Sequence, residues 1–95
     1  MDSRGFIYFL SMPSQLTLSG LIYKIGRTIN PKQRFHVYPH RTIIALKECV
    51  DFMNKEAEII YHYQHRAILG REWLDLDIVE KIEIKHFILG NLEHL

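Results

Sequence analysis

The chain has 95 residues, 47% of them hydrophobic and 24% charged, which suits one modest core and not several domains. Twelve Lys and Arg against eleven Asp and Glu leave a formal charge of +1, which excludes a polybasic binder of histone type while permitting a local basic face. One cysteine, Cys49, excludes a disulfide framework and a cysteine-rich zinc site, and no run is apolar enough to span a membrane, so an intracellular protein is expected, with cytoplasm and nucleus not distinguished.

Phe6 to Leu10 is aromatic and aliphatic and predicts a strand. Ser11 to Gly20, with Pro13, three serines and a glycine, predicts a loop. Leu21 to Ile25 predicts a second strand, paired antiparallel with the first through that long connection. Asn30-Pro31 predicts a helix start, because asparagine caps and proline fits the first helical position. Pro39 keeps this helix short by discouraging helix at Tyr38. Thr42 to Val50 predicts a third strand. Asp51 or Asn54 opens the longest predicted helix, with Met53, Ala57, Ile60, Tyr61 and Ile68 as its apolar set and Gly70 as the stop after Leu69. Asp77 and Glu80 read as a capping box for a last helix, with Ile78, Val79, Ile82 and Leu89 as its buried stripe and Gly90 at its end. The order β-β-α-β-α-α describes an α+β domain with a small sheet.

Three groups of side chains have chemical potential. Glu58, His62, His65 and Arg66 share one face of the long helix and could bind a divalent metal or manage protons; a solvated polar face has the same pattern. Lys24 interrupts an apolar strand, which places it either at a wet sheet edge or against a polar pocket, since burying an unpaired ammonium is costly. Its neighbour Tyr23 points to the opposite face, and strand tyrosines such as Tyr8 and Tyr23 commonly serve as core. Finally, Lys24, Arg27, Lys32, Arg34 and Arg41 fall within eighteen residues without an acid among them, interleaved with Phe35 and Tyr38. Such a segment suits phosphate contact, because the arginine fork matches phosphate oxygens.

Gly5-Phe6-Ile7-Tyr8, then Tyr23-Lys24-Ile25-Gly26, Pro31 and Arg34, Glu58 and His62, and Glu72-Trp73-Leu74 follow in an order that resembles the GIY-YIG nuclease superfamily. The likeness is to its short phage and large-DNA-virus branch with a Lys-Ile-Gly second motif, and it runs from about Gly5 to Leu76. The resemblance implies a single nuclease domain over residues 1–95, with a three-stranded antiparallel sheet flanked by helices, cutting phosphodiester bonds with one divalent cation, Mg²⁺ or Mn²⁺. By position it implies Tyr8 as the residue that orients or deprotonates the attacking water. Arg34 then stabilises phosphate charge and Glu58 holds the metal. Lys24 stands where many members have the second tyrosine, and Tyr23 and His62 are further catalytic candidates. A nearby Lys24 ammonium would lower the Tyr8 pKa from its usual value of about 10. Arg27, Lys32 and Arg41 are the candidate nucleic-acid contacts.

The reading that results is a metal-dependent endonuclease acting on DNA, with a second copy or a separate partner supplying specificity and no membrane involved. The alternative is an inactive GIY-YIG-fold module that binds nucleic acid or a protein. A structural metal site on Glu58, His62 and His65 ranks last, because no fourth ligand is evident.

Overall fold

In the computed structural model, which describes residues 4–90, two N-terminal strands organise everything else. β1 (Arg4–Pro13) and β2 (Leu21–Thr28) pair antiparallel from Phe6 opposite Thr28 to Pro13 opposite Leu21. Both strands run beyond their predicted ends, so the loop expected over Ser11 to Gly20 shrinks to a turn. It is closed by a 2.9 Å hydrogen bond from Ser14 N–H to the Gly20 carbonyl. α1 (Pro31–Phe35) starts as anticipated, with Pro31 in the first turn and the Asn30 side chain accepting from Gln33 N–H. β3 (Thr42–Val50) then pairs antiparallel with the other edge of β1.

The next segment departs from expectation. α2 (Phe52–His62) stops seven residues short of the predicted Leu69 end, and a 3₁₀ turn (Gln64–Arg66) follows. β4 (Ala67–Leu69) and β5 (Trp73–Leu74) then form a hairpin that joins the sheet through β5 and the Tyr23-Lys24 segment of β2. The sheet therefore has five strands, ordered β3-β1-β2-β5-β4, which corrects the three-stranded expectation. Ala67-Ile68-Leu69 satisfies a helical period and a strand equally, so periodicity could not separate them. Gly70 adopts a left-handed φ of 64° and turns the hairpin instead of ending a helix. The outer edge of β2 would also leave backbone groups unpaired without β5.

α3 (Ile78–Leu89) has the anticipated capping box: the Asp77 carboxylate accepts from Glu80 N–H at 2.8 Å and Glu80 accepts from Asp77 N–H at 3.1 Å. Its buried residues are Ile84, Phe87, Ile88 and Glu80, whereas the predicted stripe of Ile78, Val79, Ile82 and Leu89 is exposed. No helix among the described residues is long and apolar enough to cross a membrane.

Strand alternation gives the sheet two different faces. Ile7, Phe9, Tyr23 and Ile25 pack against Phe52, Ile59 and Ile60 of α2, Tyr63 just after it, and the α3 residues, forming the main core. The opposite face carries Tyr8 and Leu10 beneath Phe35, with Met12, Tyr38 and Trp73 around them. Each large side chain so buried contributes about 1.5–3 kcal/mol. Close packing extends to the backbone at Gly5, where a Cβ would come within 2.7 Å of the Phe52 ring.

Candidate active-site cleft

β5 covers the outer edge of β2 at Tyr23 and Lys24, and one further bond joins Ile25 N–H to the Glu72 carbonyl at 3.2 Å. From Gly26 onward no strand among the described residues pairs with that edge, and side chains from both faces of the sheet converge there. Gly26 lies opposite Tyr8 in the β1–β2 register. A Cβ on Gly26 would overlap the Tyr8 ring and hydroxyl, so the glycine is what lets this ring lie across β2. The result is a cleft of about 210 Å³, lined by Tyr8, Lys24, Gly26, Arg27, Arg34, Tyr38, Glu56 and Glu72. It is smaller than the roughly 300–1,000 Å³ typical of small-molecule sites and is almost wholly polar at its surface.

The charges in the cleft are arranged in pairs. Lys24 Nζ donates to Glu72 Oε2 at 2.8 Å and lies 5.1 Å from the centre of the Trp73 ring, although the side chain is only 8% exposed. That partner explains a lysine in an apolar strand. Arg27 Nη1 donates to Glu56 Oε1 at 3.0 Å. Burial pushes the Glu56 carboxyl above the ordinary glutamate range, against the opposing pull of Arg27. The hydrogen bond from Lys24 instead holds Glu72 below that range. Arg34, exposed on α1, has no ion-pair partner among the described residues.

Tyr8 is buried, meets Phe35 edge-on at 5.4 Å and shares a 3.1 Å hydrogen bond between its hydroxyl and that of Tyr38. Burial, then the Tyr38 bond, drive its pKa up, so the phenol is firmly neutral. The cation that opposes this shift is Arg34, not Lys24, and the anticipated lowering by Lys24 is not found.

Of the predicted residues, Tyr8, Lys24, Arg27 and Arg34 meet in the cleft. Tyr23 does not: it lies in the main core on the other face, stacked on Phe9 at 5.8 Å between ring centres. This follows from the alternation that separates Tyr23 from Lys24. Glu58 is exposed and does not line the cleft; Glu56, two residues earlier, does. Two residues further along a helix point about 200° away, which removes Glu58 from the face that carries Glu56. His62 is exposed at the end of α2 with its ring 4.9 Å from that of Tyr63, and His65 lies in the 3₁₀ turn, 3.8 Å from Glu80. Among the described residues, no group of three or more His, Cys, Asp or Glu is placed to share a metal. Lys32 is exposed outside the cleft, and Arg41 donates to the Tyr38 carbonyl at 3.2 Å while covering the Phe35 ring, so it braces the segment after α1.

Glu56 is the residue that sequence reasoning missed. The buried stripe of α2 is Phe52, Glu56, Ile59 and Ile60, continued by Tyr63 just past its end, and Glu56 is its single charged member. A carboxylate at an apolar-stripe position was the available signal, hidden because the helix was phased on Met53 and Ala57.

Comparison with protein families gives a match to the T5orf172 domain over residues 5–89. No curated protein and no solved structure matches the chain.

Proposed function

Because the chain belongs to the T5orf172 domain family, whose members are associated with nuclease-like proteins, we propose that it is a GIY-YIG-type nuclease domain hydrolysing nucleic-acid phosphodiester bonds with one divalent cation. The observation that carries this reading is the convergence of Tyr8, Arg34 and Glu56 on one polar cleft around Gly26. Three elements on both faces of the sheet supply these residues, and a cleft of this size suits a phosphate group.

The donor set fits a hard divalent cation. Glu56 presents one carboxylate at the cleft, its Oε2 accepts no hydrogen bond among the described residues, and a single-carboxylate site leaves open the positions that Mg²⁺ fills with water and phosphate. Glu56 would hold the ion, and such an ion would supply Lewis-acid polarisation of the phosphate and a more acidic attacking water. Arg34 binds the scissile phosphate through its fork of donors and opposes the charge that builds on phosphorus. Tyr8 acts as a neutral phenol whose oxygen orients the attacking water, with Tyr38 fixing the direction of its hydroxyl. Lys24, clamped by Glu72 and Trp73, adds fixed positive charge to the same wall.

One observation favours the alternative, a nuclease fold kept for binding alone: Arg27 occupies Glu56 Oε1 and already neutralises the carboxylate. A nicking assay on plasmid and oligonucleotide DNA with Mg²⁺ or Mn²⁺ separates the two. Glu56→Gln and Arg34→Ala should each lower the rate by about 10²–10³-fold, the weight of one electrostatic element in comparable sites. Glu58→Gln should cut like the parent. Cleavage lost in Glu58→Gln and kept in Glu56→Gln would overturn the assignment.

A further inference from the structure

The cleft does not end at Glu56. It shares Arg27, Glu56 and Glu72 with a second concavity that also takes in Ala57, Ile60 and Arg71. That concavity in turn shares Ile60 and Arg71 with a third, which continues past Tyr61, Gln64 and Ala67. On α2 the lining positions are Glu56, Ala57, Ile60 and Tyr61, spaced so that they form one continuous face of the helix, and Gln64 of the following 3₁₀ turn extends it. Arg71, in the β4–β5 turn, forms the opposite bank.

Two side chains along this groove have no structural task that explains them. Tyr61 is 72% exposed, an aromatic ring left in water at a helix position where polar residues are the norm. Arg71 is exposed and has no ion-pair partner among the described residues. An exposed aromatic platform next to an unpaired guanidinium, in a channel continuous with a phosphate-sized cleft, is the arrangement that holds a single nucleic-acid strand. The ring stacks a base, and the cation meets the backbone.

We infer that this groove is a binding track for single-stranded nucleic acid leading out of the cleft, with Tyr61 stacking a base and Arg71 contacting the phosphate beside it. The inference rests on the nuclease reading and specifies its substrate: a single strand or a splayed single-stranded arm, not an intact duplex. Tyr61 is five residues from Glu56, which is about 7.5 Å along the helix axis. At roughly 3.4 Å per stacked nucleotide, the base on Tyr61 lies about two nucleotides from the phosphate in the cleft. An intact duplex would require many phosphate contacts, whereas of the cations lining the cleft Lys24 and Arg27 are held in ion pairs and Arg34 alone has no ion-pair partner among the described residues.

Fluorescence anisotropy with labelled single-stranded 12-mers and with blunt duplexes, in EDTA so that no cleavage intervenes, tests the track without reference to catalysis. The parent should bind the single strand more tightly than the duplex. Tyr61→Ala should weaken single-strand binding by roughly 5- to 100-fold, the weight of one base–aromatic stack, and Tyr61→Phe should restore it. Arg71→Ala should reduce the slope of log K against log salt by about 0.7, one phosphate contact on a single strand. Parent-like binding by both Tyr61→Ala and Arg71→Ala, or a parent preference for blunt duplex, would overturn the inference. The nicking assay fails separately: Tyr61-dependent binding without any cleavage would sink the nuclease reading and leave the track standing.

Discussion

Gly26→Ala is the sharpest probe of how the cleft is built, because one added methyl group would occupy the space of the Tyr8 ring. Tyr8 is 1% exposed and wedged edge-on against Phe35, so it cannot swing away without opening the smaller core. Overpacking of this kind costs about 1–3 kcal/mol. Breaking the Tyr8–Tyr38 hydrogen bond adds about 1 kcal/mol. The stiffer unfolded chain returns about 0.4–1 kcal/mol. The net loss is therefore about 1–3.6 kcal/mol, out of the roughly 5–14 kcal/mol that a chain of 95 residues holds. At about 4–8 °C per kcal/mol, Tm should fall by roughly 4–29 °C. The mechanism is isolated by repeating the substitution with Tyr8→Ala, which itself costs about 3–5 kcal/mol. With the ring gone, the new methyl meets no clash, and the second step should be neutral or slightly stabilising. Urea unfolding followed by circular dichroism would then give a coupling of at least ~1.5 kcal/mol between the two positions, with unchanged slope. An equal cost of Gly26→Ala in both backgrounds would refute the account.

The two cleft carboxylates should titrate on opposite sides of the ordinary glutamate value of 4.5, Glu56 above it and Glu72 below, read from carboxyl carbon shifts as pH is varied. The sign for stability follows. Glu72, depressed on folding, contributes above 4.5 and loses that contribution as pH falls through its folded value, so Lys24→Met should flatten this part of the acid limb. Glu56, raised on folding, contributes below 4.5 and loses its contribution as pH rises through its folded value. Glu72 titrating above Glu56 would contradict the pairing. Asp77→Ala should remove the α3 cap and lower stability by about 1 kcal/mol in urea unfolding, and an unchanged midpoint would show that the capping box is idle.

Much of the scaffold could be read from local signals because the chemistry is local. Asn30-Pro31 caps α1 and Asp77 with Glu80 caps α3 through contacts within one turn, so their spacing alone identifies them. The β1–β2 pairing follows from the direct connection of the two strands and from alternation. The cost of burying an ammonium narrows Lys24 to a wet edge or a polar pocket, of which the structure shows the pocket. The β4–β5 hairpin could not be read this way, since its two and three residues gain their strand conformation from the free edge of β2, a tertiary cause. Helix phase failed for a related reason. Met53, Ala57 and Tyr61 form a plausible apolar face, yet all three are exposed, and the core side is set one residue earlier at Phe52 by contact with Gly5 of β1. With the core side set at Phe52, Glu56 faces the cleft and Glu58 faces solvent. The face that mimicked a core helix stripe instead lines the groove, where Ala57 and Tyr61 flank the path from the cleft.

The near-neutral charge of the chain bears on how such a site holds its substrate. In the cleft, Lys24 is matched by Glu72 and Arg27 by Glu56, and these matches are what permit charged groups to sit at a partly buried sheet edge. They also leave Arg34 as the one cleft cation without an ion-pair partner among the described residues. A protein that contacts only one or two phosphates has a shallow salt dependence and little electrostatic affinity, since each contact adds about 0.7 to the slope on a single strand. Affinity must then come from interactions that salt does not screen, and base stacking is the one that a nucleic acid offers at every position. On the proposed reading Tyr61, exposed in the groove that continues from the cleft, supplies that stacking surface.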